Sequence, residues 1–145
     1  MRTPSKQRES LESRIRQRIA RKRNDVFLRA DFHDLGGYDQ VGRALRALVR
    51  RGSLLRIGQG LYARARPSQL DGQPTPTLGL RELAREALGR VGYETALTRY
   101  EEDYNAGRST QVSTGRVIGV RGRVRRQIMY NGIPLKYERI GPASR

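Results

Sequence analysis

A chain of 145 residues with 30 Lys and Arg against 14 Asp and Glu carries a formal charge of +16, which draws it toward polyanions such as DNA, RNA or an acidic membrane surface. It has no cysteine and a single histidine, His33, so disulfides and thiolate metal sites are excluded and neither a zinc site nor a histidine-based catalytic triad is expected. No apolar run approaches the about 20 residues of a membrane span and no signal-peptide core opens the sequence, so a cytoplasmic protein without a membrane partner is expected.

The charge is uneven. Residues 1–24 are net +7, 25–66 net +4, 67–110 net −2 and 111–145 net +7, so a polyanion should meet the two ends. Only Lys6, Lys22 and Lys136 are lysines. Arginine's planar fork suits phosphate and guanine, although GC-rich codon usage would produce the same bias.

In chain order, residues 8–23 predict a helix with a narrow stripe of Leu11, Ile15 and Ile19. A stripe that thin cannot hold a helix in water, so the segment should dock on the domain downstream of it. Val26–Leu28 can form a brief strand, and 29–36 a short second helix ended by Gly36-Gly37. A third helix is predicted from Asp39 to Arg51. Val41, Ala44, Leu45, Leu48 and Val49 share its inner face, and Asp39, Arg43, Arg46, Ala47 and Arg50 lie opposite. Gly52 stands where a helix C-terminal glycine belongs. Ser53–Ile57 and Leu61–Arg64 predict two short strands joined by Gly58-Gln59-Gly60.

Residues 65–77 are rich in proline, glycine and polar groups and predict a linker. Beyond it, 78–91 predict a helix with a wide apolar face and an i,i+4 pair, Glu86 and Arg90. Thr98 and Glu101 form a capping box for a short helix bearing Tyr100 and Tyr104. From Val117 to Tyr130 the even positions Ile118, Val120, Val124, Ile128 and Tyr130 are apolar, while Arg121, Arg123, Arg125 and Gln127 are polar. This alternation predicts a half-buried strand with an outward arginine row. Asn131-Gly132 predicts a two-residue hairpin turn, and Ile133–Ile140 the return strand.

The expected class is therefore α+β: an N-terminal winged helix-turn-helix over 25–66, with the basic helix of 1–24 docked on it. A linker over 67–77, a C-terminal domain of helices and antiparallel sheet over 78–140, and a tail over 141–145 complete the chain.

Little here suggests catalysis. His33 reads as a surface or packing histidine, and Glu101, Glu102 and Asp103 as helix-start carboxylates favoured by the helix dipole. Gly115, Gly119 and Gly122 match no phosphate-loop spacing and read as glycines of a bent strand. No enzyme activity, no cofactor and no metal are expected.

The binding pattern is richer. Arg43, Arg46 and Arg50 recur at spacings of three and four on the predicted outer face of the third helix, as a helix entering a major groove would require. Tyr38, Asp39 and Gln40 lie at its start, where base contacts concentrate. Arg56, Gln59, Arg64 and Arg66 belong to the hairpin and would meet phosphates. The row Arg121, Arg123, Arg125 and Arg126 offers a second polyanion surface. The competing reading of each set is a solvated charged face.

The segment GYDQVGRALRALVRRGSLLRIGQGLYARAR resembles the N-terminal winged helix of AbiEi-type antitoxins of type IV toxin–antitoxin systems. YNAGRSTQVSTGRVIGVRG, with the later YNG, resembles small bacterial relatives of those antitoxins. The resemblance implies double-stranded DNA as partner, bound at promoter repeats to repress the chain's own operon through Gln40, Arg43, Arg46, Arg56 and Arg64. It also implies a nucleotidyltransferase-type toxin as a second partner. A homodimer would require half-sites about one helical turn apart, and monomers binding each repeat are an equal alternative. Two rivals fit the charge: an RNA-binding accessory protein, and a basic inhibitor that binds another protein.

Overall fold

The computed structural model describes residues 9–110 and 115–144. Residue 8 of the first predicted helix, residues 1–7, residues 111–114 of the second resembling segment, and residue 145 lie outside these. The described chain is α+β. It runs α1 (Leu11–Arg21), β1 (Val26–Leu28), a 3₁₀ turn (Arg29–Phe32), α2 (Tyr38–Arg50), β2 (Leu54–Gly58), β3 (Leu61–Pro67) and β4 (Pro74–Pro76). It continues through α3 (Leu80–Arg90), β5 (Glu94–Ala96), α4 (Arg99–Asn105), β6 (Val117–Arg121), β7 (Met129–Tyr130), β8 (Ile133–Pro134) and β9 (Lys136–Gly141).

β1, β3 and β2 form an antiparallel sheet in that order, with β4 extending it along the far end of β3. Because strand side chains alternate, the sheet has two faces, and both are buried. Phe27, Leu54 and Tyr62 join Ile15, Ile19, Val41, Leu45 and Leu48 in one core beneath α1 and α2. Val26, Ile57, Leu61 and Ala63 join Leu83, Ala84, Ala87 and Leu88 of α3 and Ile118, Val120, Ile128 and Leu135 of the C-terminal part in the other. A fully buried Leu or Val is worth about 1.5–3 kcal/mol. The second face of the N-terminal sheet therefore has a large incentive to stay covered.

That second core revises the expected linker. Within 67–77, β4 pairs with β3 through Ala65↔Pro76, Arg66↔Thr75 and Pro67↔Pro74. The proline-rich composition is compatible with an edge strand of three residues. Polar contacts lock the same junction. Glu86 does not pair with Arg90; its carboxylate accepts from the backbone N–H of Asp25 at 2.8 Å and of Val26 at 2.6 Å. Arg90 instead reaches Asp31. The i,i+4 geometry allowed a local pair, but both side chains are used instead to tie α3 to residues 25–31.

The C-terminal sheet also differs from the expected antiparallel meander. Its order is β5-β6-β9, with β5–β6 antiparallel and β6–β9 parallel. Gly122, at φ 78°, ends β6, so Arg121–Tyr130 is not one strand. Residues 122–135 are the crossover that a parallel pair needs. Within it the Asn131-Gly132 turn does form, with φ of 52° and 79°, but it joins strands of only two residues each. The even-numbered apolar residues still point inward: Ile118, Val120 and Ile128 are buried, and Val124 and Tyr130 pack against the same core. Gly119 is required by close approach, since a Cβ there would lie 2.4 Å from the carbonyl oxygen of Ala96. The second predicted helix is a single 3₁₀ turn; Gly36-Gly37 comes after it, and Gly37 is the N-cap of α2.

Candidate nucleic-acid interface

α2 is a helix because Val41, Ala44, Leu45 and Leu48 recur at helical spacing and bury against β2 and α1. It stops where Gly52 adopts φ 81°, the left-handed conformation glycine supplies after a helix. The stripe of burial fixes the opposite stripe. Arg43, Arg46 and Arg50 are exposed, and none has a side-chain partner among the described residues.

The start of α2 is more constrained than its middle. Tyr38 is 62% exposed, yet its place is set. The Arg29 guanidinium lies 3.5 Å from the Tyr38 ring centroid, and its Nη2 donates to the Tyr38 carbonyl at 2.6 Å. The His33 ring lies at 6.1 Å on an incline. Arg29 reaches this position across Gly42, where a Cβ would stand 2.3 Å from Nη2. Gln40 Oε1 accepts from the Gly37 N–H at 3.4 Å, which leaves its amide N–H groups for a ligand. Asp39 is exposed. Neither Arg29 nor Gly42 was among the expected site residues, although an isolated glycine inside a helix is a signal for close packing.

The hairpin divides its expected residues. Arg56 and Gln59 are exposed. Arg56 lies opposite Tyr62 in register, on the sheet face that carries Leu54 and faces α2. Arg66 is exposed at the β3–β4 end. Arg64 is a correction: its guanidinium is turned into the protein. Nε bonds Asp25 at 3.2 Å, and Nη2 donates to the carbonyls of Ile19 and Lys22 at 3.0 Å each and of Asn24 at 2.8 Å. It caps the C-terminal carbonyls of α1 and their dipole, and so is not presented to a phosphate.

The C-terminal row is corrected in the same way. It is not a strand face, because Gly122 turns the chain after β6. Arg121 pairs with Glu94 at 3.4 Å. The Ser144 N–H and hydroxyl, and then Arg121, hold the Glu94 carboxyl below its ordinary pKa. Arg126 donates to the Gln59 carbonyl at 2.9 Å. Arg123 and Arg125 are exposed without a side-chain partner among the described residues.

Several other arginines are committed to the fold. Arg18 grips Asp34 with two bonds, of 2.5 and 2.7 Å, which hold the Asp34 carboxyl at a pKa of about 2. Arg14 donates to the Leu35 carbonyl at 2.9 Å and Arg51 meets Glu12 at 2.6 Å. Two residues of the acidic run are likewise engaged within the fold. Glu101 closes the capping box with Thr98 and pairs with Arg81 at 3.1 Å, while Asp103 pairs with Arg108. Among the described residues no group of three His, Asp or Glu could hold a metal ion. No helix among them is long and apolar enough to cross a membrane. The chain matches no family model, and comparison with characterised proteins and with solved structures gives no match either.

Proposed function

We propose that residues 11–67 form a winged helix and that the chain is a double-stranded DNA-binding regulator that acts by binding and not by catalysis. The element order helix, strand, short turn, helix, hairpin and the strand order β1-β3-β2 support the winged-helix reading. The observation that carries the function is the outer face of α2. Arg43, Arg46 and Arg50 stand exposed, with no side-chain partner among the described residues, in a protein that engages many of its other arginines internally. A helix fits the major groove, and each guanidinium can donate two bonds to guanine O6 and N7. Tyr38, held by Arg29, would lie at the backbone beside the helix start, with Asp39 and the Gln40 amide adjusting base choice.

Within that reading, the resemblance to AbiEi-type antitoxins supports an autoregulator that binds repeats in its own promoter and restrains a nucleotidyltransferase-type toxin encoded beside it. The test of DNA reading is selection of a preferred duplex from a random-sequence pool by the purified chain. Arg43→Ala or Arg46→Ala should then relax preference at one base pair by about 1–3 kcal/mol. Failure to enrich any sequence, or equal losses on enriched and random duplexes, contradicts it. The antitoxin role is tested by co-expression with the neighbouring gene product: growth arrest relieved by this chain supports it, and unrelieved arrest or none contradicts it.

A further inference from the structure

The tip of the β2–β3 hairpin and residues 125–129 of the crossover line an open cleft of about 740 Å³, with Arg56, Gln59, Arg125, Arg126 and Gln127 in its walls. No carboxylate of the described residues lines it. Three guanidinium groups sharing one concave surface repel one another, and the concave shape concentrates their field.

The cleft is built rather than incidental. The crossover is anchored from below by Ile128, fully buried, and by Val124 against the same core. The Tyr137 hydroxyl donates to the Arg126 carbonyl at 3.0 Å, and the Leu135 N–H to the Ile128 carbonyl at 2.8 Å. Arg126 ties it to the hairpin through the Gln59 carbonyl. At Gly58 the two segments nearly touch, since a Cβ there would lie 2.9 Å from the Gln127 carbonyl oxygen. These contacts hold both walls, while Arg56 and Arg125 keep their donors free of protein side chains and carbonyls among the described residues.

We propose that this cleft is a phosphate clamp for the backbone of duplex DNA, formed jointly by the hairpin and the C-terminal crossover. Arg56, on the edge strand β2, lies on the sheet face toward α2, and on this proposal the backbone flanking a duplex seated on α2 continues along this edge into the cleft. Arg56 and Arg125 neutralise successive phosphates, and the Gln59 and Gln127 amides supply neutral donors. The proposal takes its orientation of the duplex from the α2 reading but stands on a different set of residues.

The probe is a random-sequence DNA duplex, titrated by fluorescence anisotropy with the full chain between about 50 and 200 mM salt. Each phosphate contact contributes about 0.9 to the slope of log affinity against log salt. Arg56→Gln with Arg125→Gln should lower that slope by about 2 and weaken binding about 10- to 100-fold, with the thermal transition unchanged. Arg56→Lys with Arg125→Lys should restore most of the slope. An unchanged slope in the folded glutamine variant overturns the clamp. So does an equal loss in the lysine variant, or a change seen only with structured RNA. Arg43→Gln with Arg46→Gln, tested on an enriched duplex, separates the two readings. If that variant keeps its sequence preference while the cleft variant loses slope, the helix reading falls and the clamp stands; the reverse pattern retires the clamp alone.

Discussion

Arg64 on β3 and Arg46 on α2 are the same residue type in one basic chain, and they have opposite lives. Arg64 has its guanidinium bonded to Asp25 and to three carbonyls around the end of α1. Arg46 projects into solvent with no side-chain partner among the described residues. The contrast shows that a charge of +16 is not a measure of polyanion-binding capacity. Capacity belongs to the cations that the fold leaves uncommitted, and only their bonding partners distinguish these from structural arginines that look identical in sequence.

The comparison breaks most readily at Arg64. Arg64→Ala strips bonds from several partly buried acceptors and leaves Asp25 without its cation, so a loss of about 2–4 kcal/mol of stability is expected. Chemical denaturation checks this, and a change under about 0.5 kcal/mol would place Arg64 with the uncommitted arginines after all. Gly42→Ala sharpens the other side. Alanine gains up to about 1 kcal/mol of helix propensity, but its Cβ occupies the place of the Arg29 guanidinium. A thermal transition held or raised, with weaker binding to an enriched duplex, is the expected result; unchanged binding would show that the Arg29–Tyr38 contact is not part of the interface.

The Arg18–Asp34 pair tests commitment by pH. The Asp34 carboxyl titrates at about 2 in the fold, against an ordinary 3.8. Its folded pKa is lowered, so its stabilisation is present above the ordinary value and is lost as pH falls toward about 2. Asp34→Asn should flatten stability against pH in that acid window and leave the slope at neutral pH alone, as acid titration of the unfolding midpoint would show. The smallest stability effect belongs to Arg43→Ala and Arg46→Ala, within about 0.5 kcal/mol each, because these side chains touch nothing that the fold needs.

Much of this arrangement is legible from periodicity. The face of α2 follows from Val41, Ala44, Leu45 and Leu48, and the Asn131-Gly132 turn and the Thr98–Glu101 capping box follow from short-range chemistry that needs no tertiary context. What escapes is set by long-range contacts. Arg64 follows the alternation of β3 correctly but, on that face, meets the end of α1 rather than water. The expected linker becomes β4 because β3 extends past Arg64 and offers it an edge. The arginine row breaks at Gly122, whose positive φ lets β9 lie parallel to β6 instead of folding back on it. Glu86 and Arg90 satisfy a helical spacing rule and then ignore it for the backbone of Asp25 and for Asp31. In each case the local pattern names a permitted geometry, and a partner distant in sequence decides whether it is used.

The proposed role of the free guanidinium groups of α2 is to read guanines in the major groove. Guanine N7 methylation interference on an enriched duplex tests this most directly, because N7 is an acceptor exposed only in that groove. Methylation at specific guanines should block the wild-type chain, and Arg43→Ala and Arg46→Ala should each lose sensitivity at one of them. Binding indifferent to N7 methylation, or an interference pattern identical in the wild type and both variants, would contradict it.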